Sequence, residues 1–339
     1  MRRLKIFKVN SRKYKKINLI DSLLTISILI FIIIVFFVSF NWIFFLAQWD
    51  VVTNNISTFS YGFFPKEEAW RVNFWLGILA LVSILTLVGR ESNYIRQITR
   101  PLWIVIIPLG LILLAGGFGL QTVEARNWGG LSLTLILTLV STLISIPTGI
   151  LLALGRQSKL KSIKILSGLY IDIMRSFPLI TVLFFGQLLI PLFLPIEVEI
   201  NRVIRSIIAF SLFTSAYIAE DIKGGLQAIP ATQKEASAVL GFNPQQTMQI
   251  IILPQAFRIA LPSLTNQAIG LLQNTSLMAI LGLVELMGIG KSLLANPEFI
   301  GRYLEVYIWL AFVYWLICTI LALLSKQLET SLDLTTKNK

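Results

Sequence analysis

Eight apolar segments constrain the fold of this chain more than any other feature. A helix that crosses a bilayer needs about 20 predominantly apolar residues. Hydrophobic side chains make up 55% of the chain and charged ones only 14%, whereas charged residues are roughly a quarter of soluble proteins. We therefore expect an all-α membrane protein with about eight transmembrane helices, at residues 19–40, 73–89, 101–120, 130–154, 166–194, 203–222, 259–286 and 303–325.

The net charge of +12 follows the expected membrane topology. Basic residues collect in cytoplasmic segments, and residues 1–18, before the first apolar segment, contain eight of them and no acid. We therefore predict that this tail is cytoplasmic and that eight crossings return the C-terminal residues 327–339 to the cytoplasm. Topology explains the charge with membrane lipid as the surrounding partner, so we expect no nucleic-acid partner. The eight residues are Arg2, Arg3, Lys5, Lys8, Arg12, Lys13, Lys15 and Lys16.

Several kinds of chemistry are excluded by composition. The chain has no histidine and a single cysteine, Cys318, which excludes His-based relays, serine triads with histidine and disulfides within the chain. The run Gly288–Ser292 imitates a phosphate-binding loop, but Glu285 stands where the first glycine is required. We expect no enzyme activity, metal or cofactor in this chain itself.

A polar interruption between Pro230 and Pro254 separates two long apolar segments. Thr232 and Glu235 have the spacing of a capping box, and Gly241 stands where a helix would end. Asn243, followed by a proline and by Gln246, offers a second cap, and Pro254 is expected to end the second helix. We therefore predict two short helices that form either a docking element or an ordinary amphipathic surface loop.

The spacing of this interruption resembles the EAA loop of ABC-transporter permeases. The resemblance rests on Glu235-Ala236, on Gly241 five residues after that alanine, and on Leu253-Pro254. Four further segments, in order, resemble the polar amino-acid uptake family and its general L-amino-acid branch. They are Trp128 to Leu135, Arg175 to Phe184, Ser215 to Glu220 and Gly224 to Pro230.

This resemblance implies a domain organisation. Residues 125–326 would form a five-helix importer permease core, with the cytoplasmic coupling loop at 230–256. Residues 19–124 would add three helices with a periplasmic loop in front of it.

The family resemblance also implies partners and a mechanism. The loop would seat in a cleft of an ATP-binding subunit, with Thr232, Glu235, Ala236, Ser237, Gly241, Leu253 and Pro254 as the coupling residues; Ser237 replaces the family's alanine. Two such subunits would bind ATP and Mg²⁺, and a second, different permease would complete the pathway. A periplasmic binding protein would deliver polar or general L-amino acids. The expected location is the bacterial inner membrane.

Polar residues within the apolar segments are candidates for the substrate pathway. Arg175 lies three residues before Pro178, where a broken helix can line a cavity. Its guanidinium could bind a substrate carboxylate in bidentate fashion, or it could reach the cytoplasmic interface and brace a loop. Members of the resembled family commonly carry an ion-pairing tract where this chain has a neutral one. These residues could bind an amino acid or bond neighbouring helices, and they are Gln273, Asn274, Thr275 and Ser276, followed by Glu285.

Glu220, beside Lys223 and the Gly224-Gly225 pair, is expected to brace a cytoplasmic gate that hinges at the glycines. Two alternatives to an ABC permease are a stand-alone secondary amino-acid transporter and a membrane-embedded enzyme. The first would need inverted repeats and ion-coupling carboxylates, and the second a cluster of acids or bases at one interface. Neither pattern is evident in the sequence.

Overall fold

The computed structural model describes residues 19–89, 92–193, 195 and 200–332. The predicted basic tail at 1–18, most of the C-terminal tail and the acidic pair Glu197 and Glu199 lie outside these residues. The chain divides into two compact units, of which the first ends at Trp49 and the second begins at Asp50.

The described part of the first unit, from Leu19, is one long helix followed by three residues. Helix α1, Leu19–Asn41, continues into a π-helical turn at Trp42–Leu46. Nearly all of its apolar side chains are exposed, as expected for a helix whose solvent is lipid. The indole of Trp49 donates a hydrogen bond to the carbonyl of Ile43 over 2.9 Å.

The second unit is helical throughout its described residues, which contain isolated β-bridges but no strand. The prediction of an all-α membrane protein is confirmed. The helices are α2 Asp50–Thr53, α3 Ile56–Tyr61, α4 Ala69–Val88, α5 Asn93–Ala115, α6 Gly130–Arg156, α7 Lys161–Ser176, α8 Leu179–Phe184, α9 Arg202–Gln227, α10 Ala231–Val239, α11 Pro244–Gln246, α12 Leu253–Asn274, α13 Leu286–Leu294 and α14 Tyr303–Leu332.

Six of the described helices are long and apolar enough to cross a membrane, and the count is seven if a bent pair forms one span. The bent pair is α7 and the segment from Leu179 to Phe193, which meet at 105°. The expected break at Pro178 is therefore present, because the residue before a proline disfavours the helical conformation. The seventh predicted span, residues 259–286, is not among them, so the count of eight remains a prediction: α12 is 22 residues long but carries Gln267, Gln273 and Asn274.

Packing does not follow the predicted boundary at residue 125. Helices α4 and α5 pack against one another and contribute Trp75 and Ile106 to the same core as Leu133 and Phe210. The indole of Trp75 donates to the carbonyl of Ile106 over 2.9 Å. The boundary at 125 therefore rests on the family resemblance rather than on a gap in the packing.

Helices α6, α9 and α12 form the centre of the second unit, where small and hydroxyl side chains let backbones approach closely. The hydroxyl of Ser145 donates to the carbonyl of Ser211 over 3.2 Å, and that of Ser141 lies 3.4 Å from the carbonyl of Ile207. Such contacts are typical of helix packing in membranes, where burial of apolar surface gives no net force between helices.

Helix α9 continues through Gly224 and Gly225 without a break, so the expected hinge is a continuous helix in this structure. Gly225 is a close-packing site instead. A Cβ atom there would lie 2.4 Å from the carbonyl oxygen of Ala256 in α12, whereas a Cβ on Gly224 would meet nothing within 4 Å.

We predict that Gly225→Ala destabilises the chain and that Gly224→Ala does not. The first change forces α9 and α12 apart, at a cost of about 1–3 kcal/mol for overpacking. The second replaces an exposed helical glycine, which is worth roughly 0.5–1 kcal/mol in favour of alanine. Thermal unfolding of the purified chain in detergent measures both. Equal midpoints for the two variants would show that the approach of α9 to α12 is not rigid.

Candidate functional site

The polar interruption folds as an elbow, a name used here for residues 230–253. Helix α10 ends at Val239, and Gly241 follows with a φ of +81°, a conformation that L side chains rarely adopt. Asn243 then caps α11 in a complete capping box with Gln246. The chain continues through a π-helical turn at Thr247–Ile252 directly into α12. The predicted stop at Gly241 and the predicted second cap are confirmed.

Two predicted features of the elbow are wrong. The first is the capping box of Thr232 with Glu235, because α10 begins at Ala231 with Pro230 as its N-cap and no side chain caps it. Thr232 thus lies inside the first turn, two positions after the N-cap. The second is the helix end at Pro254, which instead lies in the first turn of α12. Proline is tolerated there because the amide it lacks has no partner in a first turn.

One buried contact joins the two arms of the elbow. The hydroxyl of Ser237, with 2% of the residue exposed, lies 2.9 Å from the hydroxyl of Thr247 and donates to the carbonyl of Lys234 over 2.7 Å. The residue that departs from the resembled family thus acts as an internal brace.

The remaining surface of α10 is exposed. Glu235 and Ala236 face solvent, and they are followed by Val239 and Leu240, which are 88% and 74% exposed. Glu235 makes no ion pair within the described part of the chain. An apolar pair next to a single carboxylate, presented on a braced helix, is typical of an interaction surface.

A cluster of charges lies where α6, α7 and α9 approach one another. One carboxylate, Glu220, contacts three cations: Arg156 at 3.0 Å, Lys223 at 2.9 Å and Arg175 at 3.5 Å. Arg156 also contacts Asp172 at 3.0 Å. All five side chains are partly exposed, and ion pairs of that kind contribute about 0–1 kcal/mol each. The cluster therefore orients Arg175 and the ends of three helices more than it stabilises the fold.

Arg175 also contacts one wall residue of a cavity of about 280 Å³ between α8, α9 and α12. Its guanidinium carbon lies 5.5 Å from the centre of the Tyr217 ring, and Tyr217 lines the cavity. Polar groups occur beside an apolar wall, as in typical small-molecule sites. The lining residues are Leu179, Phe210, Phe213, Thr214, Tyr217, Gln267, Gly270, Leu271 and Asn274.

The structure brings only some of the candidate pathway residues together. Asn274 lines the cavity, but Gln273 points instead toward the sulfur of Cys318, at 3.8 Å. The hydroxyls of Thr275 and Ser276 donate to backbone carbonyls of their own helical turn, over 2.6 and 2.7 Å.

Glu285 lies apart from the cavity and is fully buried. Its carboxylate caps α13 by accepting hydrogen bonds from the amides of Met287 at 2.8 Å and Gly288 at 2.9 Å. It also accepts one from the hydroxyl of Tyr314 at 3.2 Å. These bonds tie α13 to α14, so its contacts in this structure are those of a helix cap.

Sequence reasoning did not single out three residues of this region: Tyr217, Gln267 and Asp221. Tyr217 belongs to a segment noted for its family resemblance, without a role of its own. The amide of Gln267 donates to Asp221 over 3.0 Å. A polar side chain within a largely apolar helix such as α12 is the signal that could have identified Gln267.

This chain is similar to known membrane transport proteins. The family model for the binding-protein-dependent transport system inner membrane component matches residues 145–333. A solved structure described as an amino acid ABC transporter with histidines is 29% identical, covers 60% of this chain and 92% of its own, and superimposes with a TM-score of 0.54.

Two curated relatives match most of this chain. The inner membrane amino-acid ABC transporter permease protein YhdY of Escherichia coli is 38% identical and is matched over 84% of this chain and 77% of its own length. The glutamate/glutamine/aspartate/asparagine transport system permease protein BztC of Rhodobacter capsulatus is 39% identical. It is matched over 84% of this chain and 79% of its own length.

We predict that Asn243→Ala loosens the elbow without unfolding the chain. Loss of an N-cap side chain costs about 0.5–2 kcal/mol, and the amide of Gln246 would lose its acceptor. Hydrogen exchange followed by mass spectrometry should show faster exchange in residues 243–252 only. Gln245→Ala, an exposed change in the same turn, is the control. Unchanged exchange in Asn243→Ala would mean that the brace at Ser237 alone holds the elbow.

Proposed function

This chain belongs to the family of binding-protein-dependent transport system inner membrane components, and from that premise we propose that it is a permease subunit that moves amino acids through an ABC importer. It is a transport subunit rather than an enzyme, and ATP and Mg²⁺ are bound by separate ATPase subunits. The observation that carries the proposal is the braced elbow, whose exposed surface has the form of a docking site.

The elbow transmits force because it is stiff at its base and continuous with the membrane helices. Ser237 and Thr247 hold its two arms together at 2.9 Å, and the second arm runs into α12. Glu235, Ala236, Val239 and Leu240 would contact the ATPase subunit. Closure of that subunit on ATP would then move α12 along its axis or tilt it.

The substrate pathway would pass through the 280 Å³ cavity. An amino acid carries a carboxylate, which Arg175 beside Tyr217 would attract. It also carries an ammonium group, which the ring of Tyr217 and the amide oxygens of Gln267 and Asn274 suit. The substrate class is polar or general L-amino acids, in keeping with the name of the relative BztC. Asp221, behind Gln267, adds a negative charge near the cavity.

The assembly would contain two ATPase subunits, a second permease that is similar but not identical, and a periplasmic protein that delivers the amino acid. The chain would cross the inner membrane with both ends in the cytoplasm. This orientation places the elbow on the same side as the charge cluster around Glu220, so the cluster would form the cytoplasmic gate.

The proposal is tested by reconstitution with the partner subunits in vesicles. Uptake should require ATP hydrolysis, and Glu235→Ala should lower it at least about tenfold, because removing one partner of an interfacial charge pair costs roughly 2–5 kcal/mol. The matched control is Glu298→Ala, which removes an exposed carboxylate from the short turn Pro297–Phe299 after α13. Uptake that proceeds without ATPase subunits would instead identify a secondary transporter.

We further predict that Arg175 selects for a free carboxylate. Binding of L-glutamine and of its α-carboxamide to the permease and ATPase complex, without binding protein, should differ by about tenfold or more, since a hydrogen bond to a charged group is worth roughly 1.5–3 kcal/mol. Arg175→Gln should remove this difference.

The variant Glu220→Gln separates contact with substrate from bracing of the gate. It breaks the ion pair with Arg175 but leaves the guanidinium in place, so preference for the free carboxylate should persist. If both variants lose the preference equally, Arg175 acts only through the charge cluster.

A further inference from the structure

A second and larger cavity lies outside the proposed amino-acid pathway. It has a volume of about 430 Å³ and is enclosed by α4, α5, α6, α12 and α14, within the range of about 300–1,000 Å³ usual for ligand sites. Its residues do not overlap with those around Tyr217. The proposed coupling and transport steps give it no role.

The wall of this cavity is mostly apolar, and several of its polar side chains are hydrogen-bonded to other groups of the protein. The indole of Trp103 donates to the hydroxyl of Thr86 over 3.1 Å, and the amide of Gln327 donates to the carbonyl of Thr86 over 2.6 Å. Thr265 and Ser325 hydrogen-bond to each other. These polar groups are engaged with the protein itself, so the cavity offers a ligand mostly hydrocarbon surface, including Ile107, Leu139, Leu143, Ile146, Leu261, Leu321, Leu324 and Leu328.

One end of the cavity is strongly basic. Arg96 and Arg100 both line it and lie one turn apart on α5. None of its described lining residues is acidic, and one acid, Glu329, lies behind the lining Ser325, whose hydroxyl donates to it over 3.3 Å. Arg100 is exposed, so its guanidinium is open to a ligand from outside. Arg100 lies about 10 Å along the helix from its first residue, at a rise of about 1.5 Å per residue. An arginine at that depth directs its charge toward the headgroup region.

We propose that this cavity holds one acyl chain of an anionic phospholipid of the cytoplasmic leaflet, with the phosphate on Arg100 and the positive charge of Arg96 one turn away. We infer the occupant from charge complementarity. A cavity with a hydrocarbon wall and cations at its mouth matches a lipid whose headgroup carries a net negative charge. Basic pockets between helices on the cytoplasmic side are known places for such headgroups. Basic residues at this helix end also serve topology, but topology alone does not require an adjoining hydrocarbon cavity.

The position of the cavity gives the bound lipid a structural role. It lies between the paired helices α4 and α5 and the helices α6, α12 and α14, so an acyl chain there would fill the seam between the N-terminal helices and the proposed permease core. The assignment depends on the proposed orientation of α5 in the membrane, but not on ATP coupling.

The test uses Trp103 as a reporter, because it lines the cavity. The full chain is reconstituted in phosphatidylcholine vesicles with increasing fractions of phosphatidylglycerol that carries brominated acyl chains, which quench nearby tryptophan. The fluorescence of Trp103 is obtained by subtracting the fluorescence of the Trp103→Phe variant from that of the unchanged chain. Brominated phosphatidylglycerol should quench it at about fivefold lower mole fraction than brominated phosphatidylcholine, the preference expected when one basic residue near the surface attracts an anionic lipid.

Two variants and one control decide the outcome. Arg100→Gln should remove most of the preference for phosphatidylglycerol, and Ala268→Leu, which fills the wall, should reduce quenching by both lipids. Arg126→Gln removes an exposed arginine elsewhere and should change neither. Equal quenching by the two lipids, or a preference that survives Arg100→Gln, would overturn the proposal. The Arg100 site is exposed, so that variant tests the headgroup contact without disturbing the core.

Discussion

The need of a backbone in lipid to satisfy its own hydrogen bonds governs this structure. It makes the second unit helical and brings its central helices close together, through hydroxyls such as Ser145 against the carbonyl of Ser211. It also makes every interruption of a helix informative, because a break exposes backbone groups that must find other partners. The two main interruptions, the bend at Pro178 and the elbow at 230–253, are the places where the chain departs from a simple bundle. Both lie beside residues with charge or exposed apolar surface.

The bend and the elbow are connected through the packing. Helix α12 starts at the elbow, contacts α9 at Gly225 through the backbone of Ala256, and ends at Asn274 in the wall of the 280 Å³ cavity. Helix α9 carries Glu220, which binds Arg175 just before the bend. Packed helices therefore connect the elbow to the cavity without a gap. Because α9 and α12 are in close contact at Gly225, we expect the two helices to move as a pair rather than α9 to bend at its glycines.

The sequence predicted those features that depend on neighbours along the chain. Gly241 ends α10, Asn243 and Gln246 form a capping box, and Pro178 breaks a span, all from signals within three or four residues. The failures occurred where two local signals competed. Pro230 caps α10, which excludes Thr232 from that position, and Pro254 reads equally well as a helix end or as a first turn. Contacts between distant residues were inaccessible in principle: Glu285 lies near Thr134 at 3.5 Å across 151 positions, and no local pattern encodes that approach.

The distribution of polar groups separates the two cavities by chemistry. In the smaller one, Asn274, Tyr217 and Gln267 lie beside an arginine and two acids, Glu220 and Asp221, so both ends of a zwitterion would find a partner. In the larger one most wall polar groups bond to the protein itself, although the buried hydroxyl of Thr142 has no partner among the described residues. Two arginines there stand against one nearby acid, Glu329, which accepts from the lining Ser325. A zwitterionic amino acid would leave its ammonium group unmatched there, at the cost of an unpaired charge, whereas an anionic lipid would not. The two proposed sites would therefore accept different ligands, a polar solute in the smaller cavity and a membrane lipid in the larger one.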